Sequence, residues 1–132
     1  MTIENINAGY KKRGVFSPVK KVEIGGGRYL IFVSGIQAPK GEGQRVITDD
    51  IAEQTRLIFE EINKLLNLAG ASLDNVIKAV IYLTDMNDFD TVSAIRGEYF
   101  KNSMPVSTVV EVNGFTRKGA KIEIEVTAVL AK

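Results

Sequence analysis

The sequence predicts an α+β fold in which a mixed β-sheet carries two helices on one face. Strand-like and helix-like hydrophobic periods alternate along the chain. Apolar residues make up 45% and charged residues 25% of the composition, the balance of an ordinary globular protein. The length of 132 residues suits a single domain over positions 1–132, because two separate cores would be hard to build from so short a chain.

The first predicted elements are two strands that form a hairpin. Residues 16–24 are the first strand, and Pro18 near its start suggests a place at the edge of the sheet. Three consecutive glycines at 25–27 make the turn, and residues 29–34 are a nearly all-apolar second strand. The stretch 35–47 contains a proline and several glycines, which indicates a loop.

The most clearly signalled element is a helix over about residues 50–69. Apolar side chains recur every three or four positions along it and form one continuous face. Asp50 is the expected N-cap, with Glu53 as its capping-box partner. Gly70 is expected to end the helix as a C-terminal cap.

The second half of the chain alternates strands with a second helix. Residues 76–83 form an apolar strand, and a helix follows from about 88 or 90 to 101. Residues 106–112 and 121–130 form the last two strands, and the second of these alternates cleanly between apolar and polar residues. The predicted order is therefore β-β-α-β-α-β-β, with parallel strands wherever a helix connects two of them.

Two of the predicted strands are apolar on both sides. Residues 29–33 and 76–83 have the composition of strands that are covered on both faces. Two helices on one face of the sheet leave the other face uncovered, and no further predicted element remains to cover it. We therefore expect another copy of the chain to cover it, in a homo-oligomer; the alternative is a sheet that curls over itself.

The absence of two residue types excludes several kinds of chemistry. The chain has no cysteine and no histidine, which removes thiolate nucleophiles, imidazole bases and metal sites built on these ligands. The remaining catalytic candidates are carboxylates, hydroxyls, lysine, arginine, backbone groups and bound water. We expect no metal and no cofactor.

The charge balance bears on partners and location. Seventeen basic and sixteen acidic residues leave a net charge of +1, without the basic excess typical of proteins that bind nucleic acid or acidic membranes. No apolar run is long enough to cross a bilayer, and the N-terminus lacks the apolar core of a signal peptide. The sequence therefore predicts a cytoplasmic protein that binds neither nucleic acid nor membrane.

Four short motifs stand in the order and spacing of one known family. They are FVSG at 32–35, LTDMNDF at 83–89, PVSTVVEV at 105–112 and IEIE at 122–125. Together they resemble the Rid (reactive intermediate deaminase) family, also called the YjgF family, from about Gly14 to the C-terminus. The resemblance implies a fold similar to bacterial chorismate mutase and a homotrimer with ligand clefts between subunits. Deaminases of this family hydrolyse enamines and imines such as 2-iminobutanoate without metal or cofactor.

The resemblance also implies which residues form the cleft. Glu123 matches a glutamate that positions the attacking water, and Ser34 and Gly35 match the pocket wall. Ser107 stands where the deaminases carry the arginine that binds the substrate carboxylate. A serine offers one neutral donor, whereas an arginine offers a charge and two parallel donors. We therefore expect altered or lost deaminase activity.

Three further positions of the implied cleft depart from the family pattern. An aromatic ring without a hydroxyl replaces tyrosine, a serine replaces asparagine and a valine replaces a frequent cysteine. All three are expected to line the ligand cleft: Phe16, Ser93 and Val109.

The missing guanidinium leaves the function open between an enzyme and a binding protein. Four arginines are candidates to replace it from another position: Arg28, Arg45, Arg96 and Arg117. Arg117 is the first to consider, because its loop is slightly longer than in the family. One hypothesis is a cofactor-free deaminase with altered specificity; the alternative is a non-catalytic protein that binds a small metabolite such as a 2-oxo acid. A chaperone-like or translation-inhibiting role is a weaker alternative.

Overall fold

The computed structural model describes residues 2–9 and 15–131 and confirms the α+β class. Gly14, at which the family resemblance begins, lies outside the described residues. Eight regular elements follow one another along the chain: β1 (Ile3–Ile6), β2 (Val19–Gly25), β3 (Arg28–Ile36), α1 (Ile51–Leu68), β4 (Val76–Leu83), α2 (Phe89–Tyr99), β5 (Val106–Glu111) and β6 (Ile122–Leu130).

The strands form one mixed sheet in the order β1-β2-β3-β6-β4-β5. Strands β4 and β5 are parallel, and the other neighbouring strands are antiparallel. Because β6 lies between β3 and β4, these two strands also run parallel. Each helix therefore connects parallel strands, as predicted.

One strand was missed by the prediction. Strand β1 pairs antiparallel with β2, with Ile6 opposite Val19. It is short and exposes three of its four residues, so its sequence lacks the alternation that marks a half-buried strand. Its presence corrects the edge position inferred from Pro18: β2 begins only at Val19 and has neighbours on both sides. Pro18 precedes the hydrogen-bonded strand, where its missing N–H is tolerated.

The core lies between the helices and one face of the sheet. The predicted alternation of β6 is confirmed, since four of its side chains are at most 3% exposed: Ile122, Ile124, Val126 and Ala128. The helices meet through aromatic rings. Phe59 of α1 stacks on Tyr99 with ring centroids 4.7 Å apart, and it meets the Phe100 ring edge-on at 5.1 Å.

Helix α1 begins at the predicted cap. The Asp50 carboxylate accepts a hydrogen bond from the backbone N–H of Glu53 at 2.8 Å. The backbone N–H of Asp50 donates to the Thr48 hydroxyl at 3.1 Å, so Glu53 does not complete the predicted capping box. Gly70, with φ +88°, follows the C-cap Ala69. A glycine fits this left-handed position, which confirms the predicted end of the helix.

Replacing Asp50 by alanine is expected to lower the free energy of unfolding by about 1 kcal/mol, because the N–H of Glu53 loses its acceptor. Urea denaturation measures the effect. Glu53→Ala is the matched control, since that side chain is not part of the cap; its effect should stay within about 0.5 kcal/mol. Equal losses in the two variants would show that the capping bond contributes nothing specific.

The sheet face away from the helices is uncovered in the single chain. Phe32, Val106 and Val110 on this face are 43%, 69% and 38% exposed, and Leu30 and Val80 between them are half-buried. We call it the open face; the polar members used below are Tyr82, Glu123 and Glu125. No helix in the described ranges is long and apolar enough to cross a membrane.

Candidate functional site

The Glu123 side chain projects from β6 onto the open face. Its neighbours Ile122 and Ile124 are fully buried on the other side, so the strand alternation fixes this direction. The Gln37 Nε2 donates a hydrogen bond to Glu123 Oε1 at 2.8 Å. A carboxylate has about four acceptor positions, and Gln37 uses one of them. Glu123 is therefore held in place while still able to accept a proton.

Gly35 lies directly against the Glu123 carboxylate. The register between β3 and β6 shifts between Val33 and Ile36, and Gly35 lies in this irregularity. Strand β3 thus extends two residues further than predicted, into the segment expected to be a loop. A Cβ at Gly35 would lie 2.5 Å from Glu123 Oε2 and 2.7 Å from Cδ. The φ of Gly35 is not left-handed, so the backbone conformation does not require glycine here. The close approach of the Glu123 carboxylate does.

Ser34 and Phe16 lie beside Gly35. The Ser34 hydroxyl donates to the Ser17 carbonyl at 2.8 Å, which ties the end of β3 to the segment before β2. The Phe16 ring is 72% exposed. Both residues, with Gly35, Gln37 and Arg117, line a cavity of about 750 Å³ beside α1. The structure therefore brings together the predicted pocket wall.

Gln37 was not identified from the sequence, although it contacts Glu123. It lines the first cavity and also a second one of about 590 Å³, which is lined by Glu123 and the loop at 113–116. Its Oε1 is buried and has no hydrogen-bond partner among the described residues. Such an oxygen costs about 1–3 kcal/mol when left unpaired, so a donor from water or a ligand would stabilise it. The signal in the sequence was a polar residue just after an apolar strand.

A buried glutamine fixes the loop between β5 and β6. Gln54 on α1 is fully buried; its Nε2 donates to the Thr48 and Gly119 carbonyls at 2.9 and 3.0 Å, and its Oε1 accepts from the Lys121 N–H at 3.0 Å. The Arg117 Nη1 in this loop donates to the Ala38 carbonyl at 2.6 Å. Arg117, the first candidate for the missing guanidinium, therefore ties the loop to the segment after β3.

Ser107 and Ser93 form a second group with Arg96. Ser107 on β5 lies opposite Ala79 of β4, on the helix side of the sheet. The Arg96 Nη1 donates to Ser107 Oγ at 3.1 Å, and its Nη2 donates to Ser93 Oγ at 3.0 Å. Val109, two residues along β5, is half-buried and packs against the core. Of the four candidate arginines, Arg96 is thus the one whose guanidinium contacts Ser107.

Most of the predicted site residues, together with Gln37, fall into two groups that the sheet separates. The Glu123 group (Glu123, Gly35, Gln37 and Ser34) lies at the ends of β3 and β6. The Ser107 group (Ser107, Ser93 and Arg96) lies at the edge strand β5 and on α2. Glu123 is on the open face and Ser107 on the helix side, so a single chain does not bring them together.

Tyr82 is the neighbour of Glu123 on β4. Its hydroxyl donates to Glu125 Oε1. This hydrogen bond raises the pKa of Tyr82 above its ordinary value of 10.0, and burial and the charges of Glu125 and Glu123 raise it further. Tyr82 is therefore a neutral donor near pH 7, and it engages Glu125 rather than Glu123.

In residues 2–9 and 15–131, no three carboxylates lie close enough together to hold a metal ion. The Glu123 group offers a carboxylate, an amide and a hydroxyl. The Ser107 group offers a guanidinium and two hydroxyls. The first can accept and return a proton, and the second can bind an anion.

Comparison with known proteins identifies the family of the chain. The family model described as endoribonuclease L-PSP matches residues 15–130. A RutC family protein of Pyrococcus abyssi is 40% identical over 99 residues, which cover 75% of this chain and 77% of that protein. The human 2-iminobutanoate/2-iminopropanoate deaminase is 31% identical over 99 residues, covering 75% of this chain and 72% of that protein.

A solved structure gives the same result. The crystal structure of a YjgF/YER057c/UK114 family member from Mycobacterium tuberculosis matches with a TM-score of 0.83 and 27% identity, covering 98% of this chain and 100% of that chain. The match therefore extends over the whole sheet and both helices. With the family model spanning residues 15–130, the chain belongs to the endoribonuclease L-PSP family, which is the YjgF/Rid family that the four sequence motifs resemble.

Proposed function

We propose that this chain hydrolyses the C=N bond of small imines, with Glu123 as the catalytic carboxylate, in clefts between the subunits of a homotrimer. The observation that carries the proposal is the Glu123 carboxylate, which Gln37 holds against the backbone of Gly35 at the wall of a cavity. The human relative is named for 2-iminobutanoate and 2-iminopropanoate. We assign this chain to the same substrate class, with specificity altered at Ser107.

The two groups of site residues support an assembly. In one chain the sheet lies between them, so a site that uses both must form between two copies. The open face carries exposed apolar side chains such as Phe32 and Val106. Their exposure to water is unfavourable, which favours burial against another copy of the chain. Three copies arranged around an axis would cover these faces and bring the Glu123 group of one copy to the Ser107 group of the next.

The reaction needs one carboxylate and one water. Glu123 accepts a proton from water as the water oxygen bonds to the imine carbon, and it returns that proton to the nitrogen. Glu123 then takes the proton of the new hydroxyl group and passes it to the nitrogen as the C–N bond of the tetrahedral intermediate breaks, so that ammonia leaves and a 2-oxo acid remains. Gln37 keeps the Glu123 carboxylate oriented through this exchange.

A coupled assay tests the activity. An amino-acid dehydratase generates 2-iminobutanoate, and the formation of 2-oxobutanoate is followed with and without this chain. The proposal requires that the rate rise in proportion to the concentration of the chain. No acceleration, with 2-oxobutanoate still bound, would assign the cleft to a metabolite-binding protein that does no chemistry.

The homotrimer is tested by a charge on the open face. Sedimentation equilibrium should give the mass of three chains for the natural sequence and a lower mass for Phe32→Asp, because a carboxylate would be buried without a partner. Leu68→Asp is the matched control: Leu68 is an exposed leucine of α1 outside the open face. A natural chain that sediments as a monomer, or a Phe32→Asp variant that stays trimeric, would exclude this interface.

A further inference from the structure

Arg96 carries a positive charge that no carboxylate of the described residues neutralises. Two other arginines show the usual arrangement: Arg45 pairs with Asp49 at 2.7 Å and Arg56 with Glu98 at 2.9 Å. Arg96 is half-buried and donates its described hydrogen bonds to neutral hydroxyls. A half-buried guanidinium without a counter-ion attracts an anion more strongly than an exposed one, because water screens it less.

The Arg96 guanidinium is oriented before any ligand binds. The Ser107 and Ser93 hydroxyls accept from Nη1 and Nη2, and the guanidinium carbon lies 5.7 Å from the centre of the Phe89 ring. An arginine has five N–H donors, so three remain. Each serine hydroxyl accepts from Arg96 and keeps its own proton for donation. Guanidinium and hydroxyl donors therefore lie within hydrogen-bond distance of one another beside the edge strand.

We propose that Arg96, Ser93 and Ser107 form the site that binds the carboxylate of the substrate, a small 2-imino acid, and of its 2-oxo acid product. This inference rests on the proposed function, in which the substrate carries a carboxylate next to the C=N bond. Ser107 is then part of an anion site whose charge comes from α2. In the trimer, this site of one copy faces the Glu123 of the next.

The residue types at positions 96 and 107 are also complementary. A serine at 107 leaves room for the guanidinium from α2 and accepts one of its hydrogen bonds. An arginine at 107 would place a second positive charge beside Arg96, and like charges in contact repel. The change at 107 and the arginine at 96 thus form one arrangement, which binds a carboxylate bidentately without a strand arginine.

Calorimetric titration with 2-oxobutanoate, a stable ligand of the proposed class, tests the site. Arg96→Gln should raise the Kd about 10- to 100-fold, the range for losing a hydrogen bond to a charged group. Arg56→Gln is the control, because this arginine of α1 is paired with Glu98 outside the site; its Kd should equal that of the natural chain. The uncharged 2-oxobutanamide should bind the natural chain and Arg96→Gln with the same Kd. A general packing defect in the variant would instead raise the Kd of both compounds.

A double variant that moves the positive charge from α2 to β5 provides a second test. The double variant Arg96→Gln with Ser107→Arg should recover most of the affinity lost in Arg96→Gln, because it moves the guanidinium to the strand. Should Arg96→Gln fail to assemble, Arg96→Lys provides the same comparison, since it keeps the charge but lacks the fork of donors.

Two outcomes separate the failure of this inference from that of the proposed function. If Arg96→Gln binds 2-oxobutanoate as tightly as the natural chain does, the proposed role of Arg96 is wrong. The proposed imine hydrolysis by the natural chain is not affected by that result. A natural chain that neither accelerates imine hydrolysis nor binds 2-oxobutanoate overturns the proposed function, and the inference with it.

Discussion

Replacing Glu123 by glutamine is expected to lower the kcat of imine hydrolysis about 100-fold or more, the typical contribution of a positioned acid–base group. Glutamine has nearly the same shape, and its carbonyl oxygen can still accept the hydrogen bond that Gln37 donates. It cannot take a proton from water. The variant should therefore fold, assemble and bind 2-oxobutanoate as the natural chain does, so the loss should appear in kcat and not in the Kd.

Glu125→Gln is the matched control for this variant. Glu125 lies two residues along β6 on the same face, but its carboxylate accepts from the Tyr82 hydroxyl. We expect its kcat to remain near that of the natural chain. Equal kcat values for Glu123→Gln and the natural chain would remove Glu123 from the reaction and leave the cleft without its proposed base.

The position of Glu123 was predictable from local sequence, because it depends on strand alternation. The regular change between Ile122, Glu123 and Ile124 directs the carboxylate away from the core whatever the rest of the fold does. The same holds for the start of α1, where Asp50 caps the helix through a residue three positions away. Strand β1 was missed because its side chains are mostly exposed and carry no such period.

The surroundings of Glu123 were harder to predict from the sequence, because they depend on contacts between distant segments. Gln37 and Gly35 reach Glu123 across 86 and 88 positions of sequence, through a register shift that no local pattern marks. The Arg117 prediction rested on loop length; the Nη1 of Arg117 donates to the Ala38 carbonyl, and the residue lines the cavity that contains Gly35. Arg96 meets Ser107 only because α2 packs over β5. Its spacing of three from Ser93 on a helix was the available signal.

Gly35→Ala is expected to lower kcat about 100-fold, although Gly35 itself has no chemically active side chain. The added Cβ would lie 2.5 Å from Glu123 Oε2, closer than any such pair of atoms can approach. Because this oxygen is the end of a flexible side chain, the carboxylate rotates away rather than the strands separating. A displacement of about 1 Å is enough for a loss of this size. The free energy of unfolding should change by no more than about 1 kcal/mol.

Gly97→Ala is the matched control. Gly97 lies in α2, where an added Cβ meets nothing within 4 Å, so alanine should keep kcat and stabilise the helix by about 0.5–1 kcal/mol. The combination of Gly35→Ala with Glu123→Gln isolates the cause. If the methyl group acts by displacing the carboxylate, Gly35→Ala lowers kcat in the natural chain and adds almost nothing once Glu123 is glutamine. Independent losses in the double variant, measured by the same 2-oxobutanoate assay, would show that Gly35 acts on the cleft by some route other than Glu123.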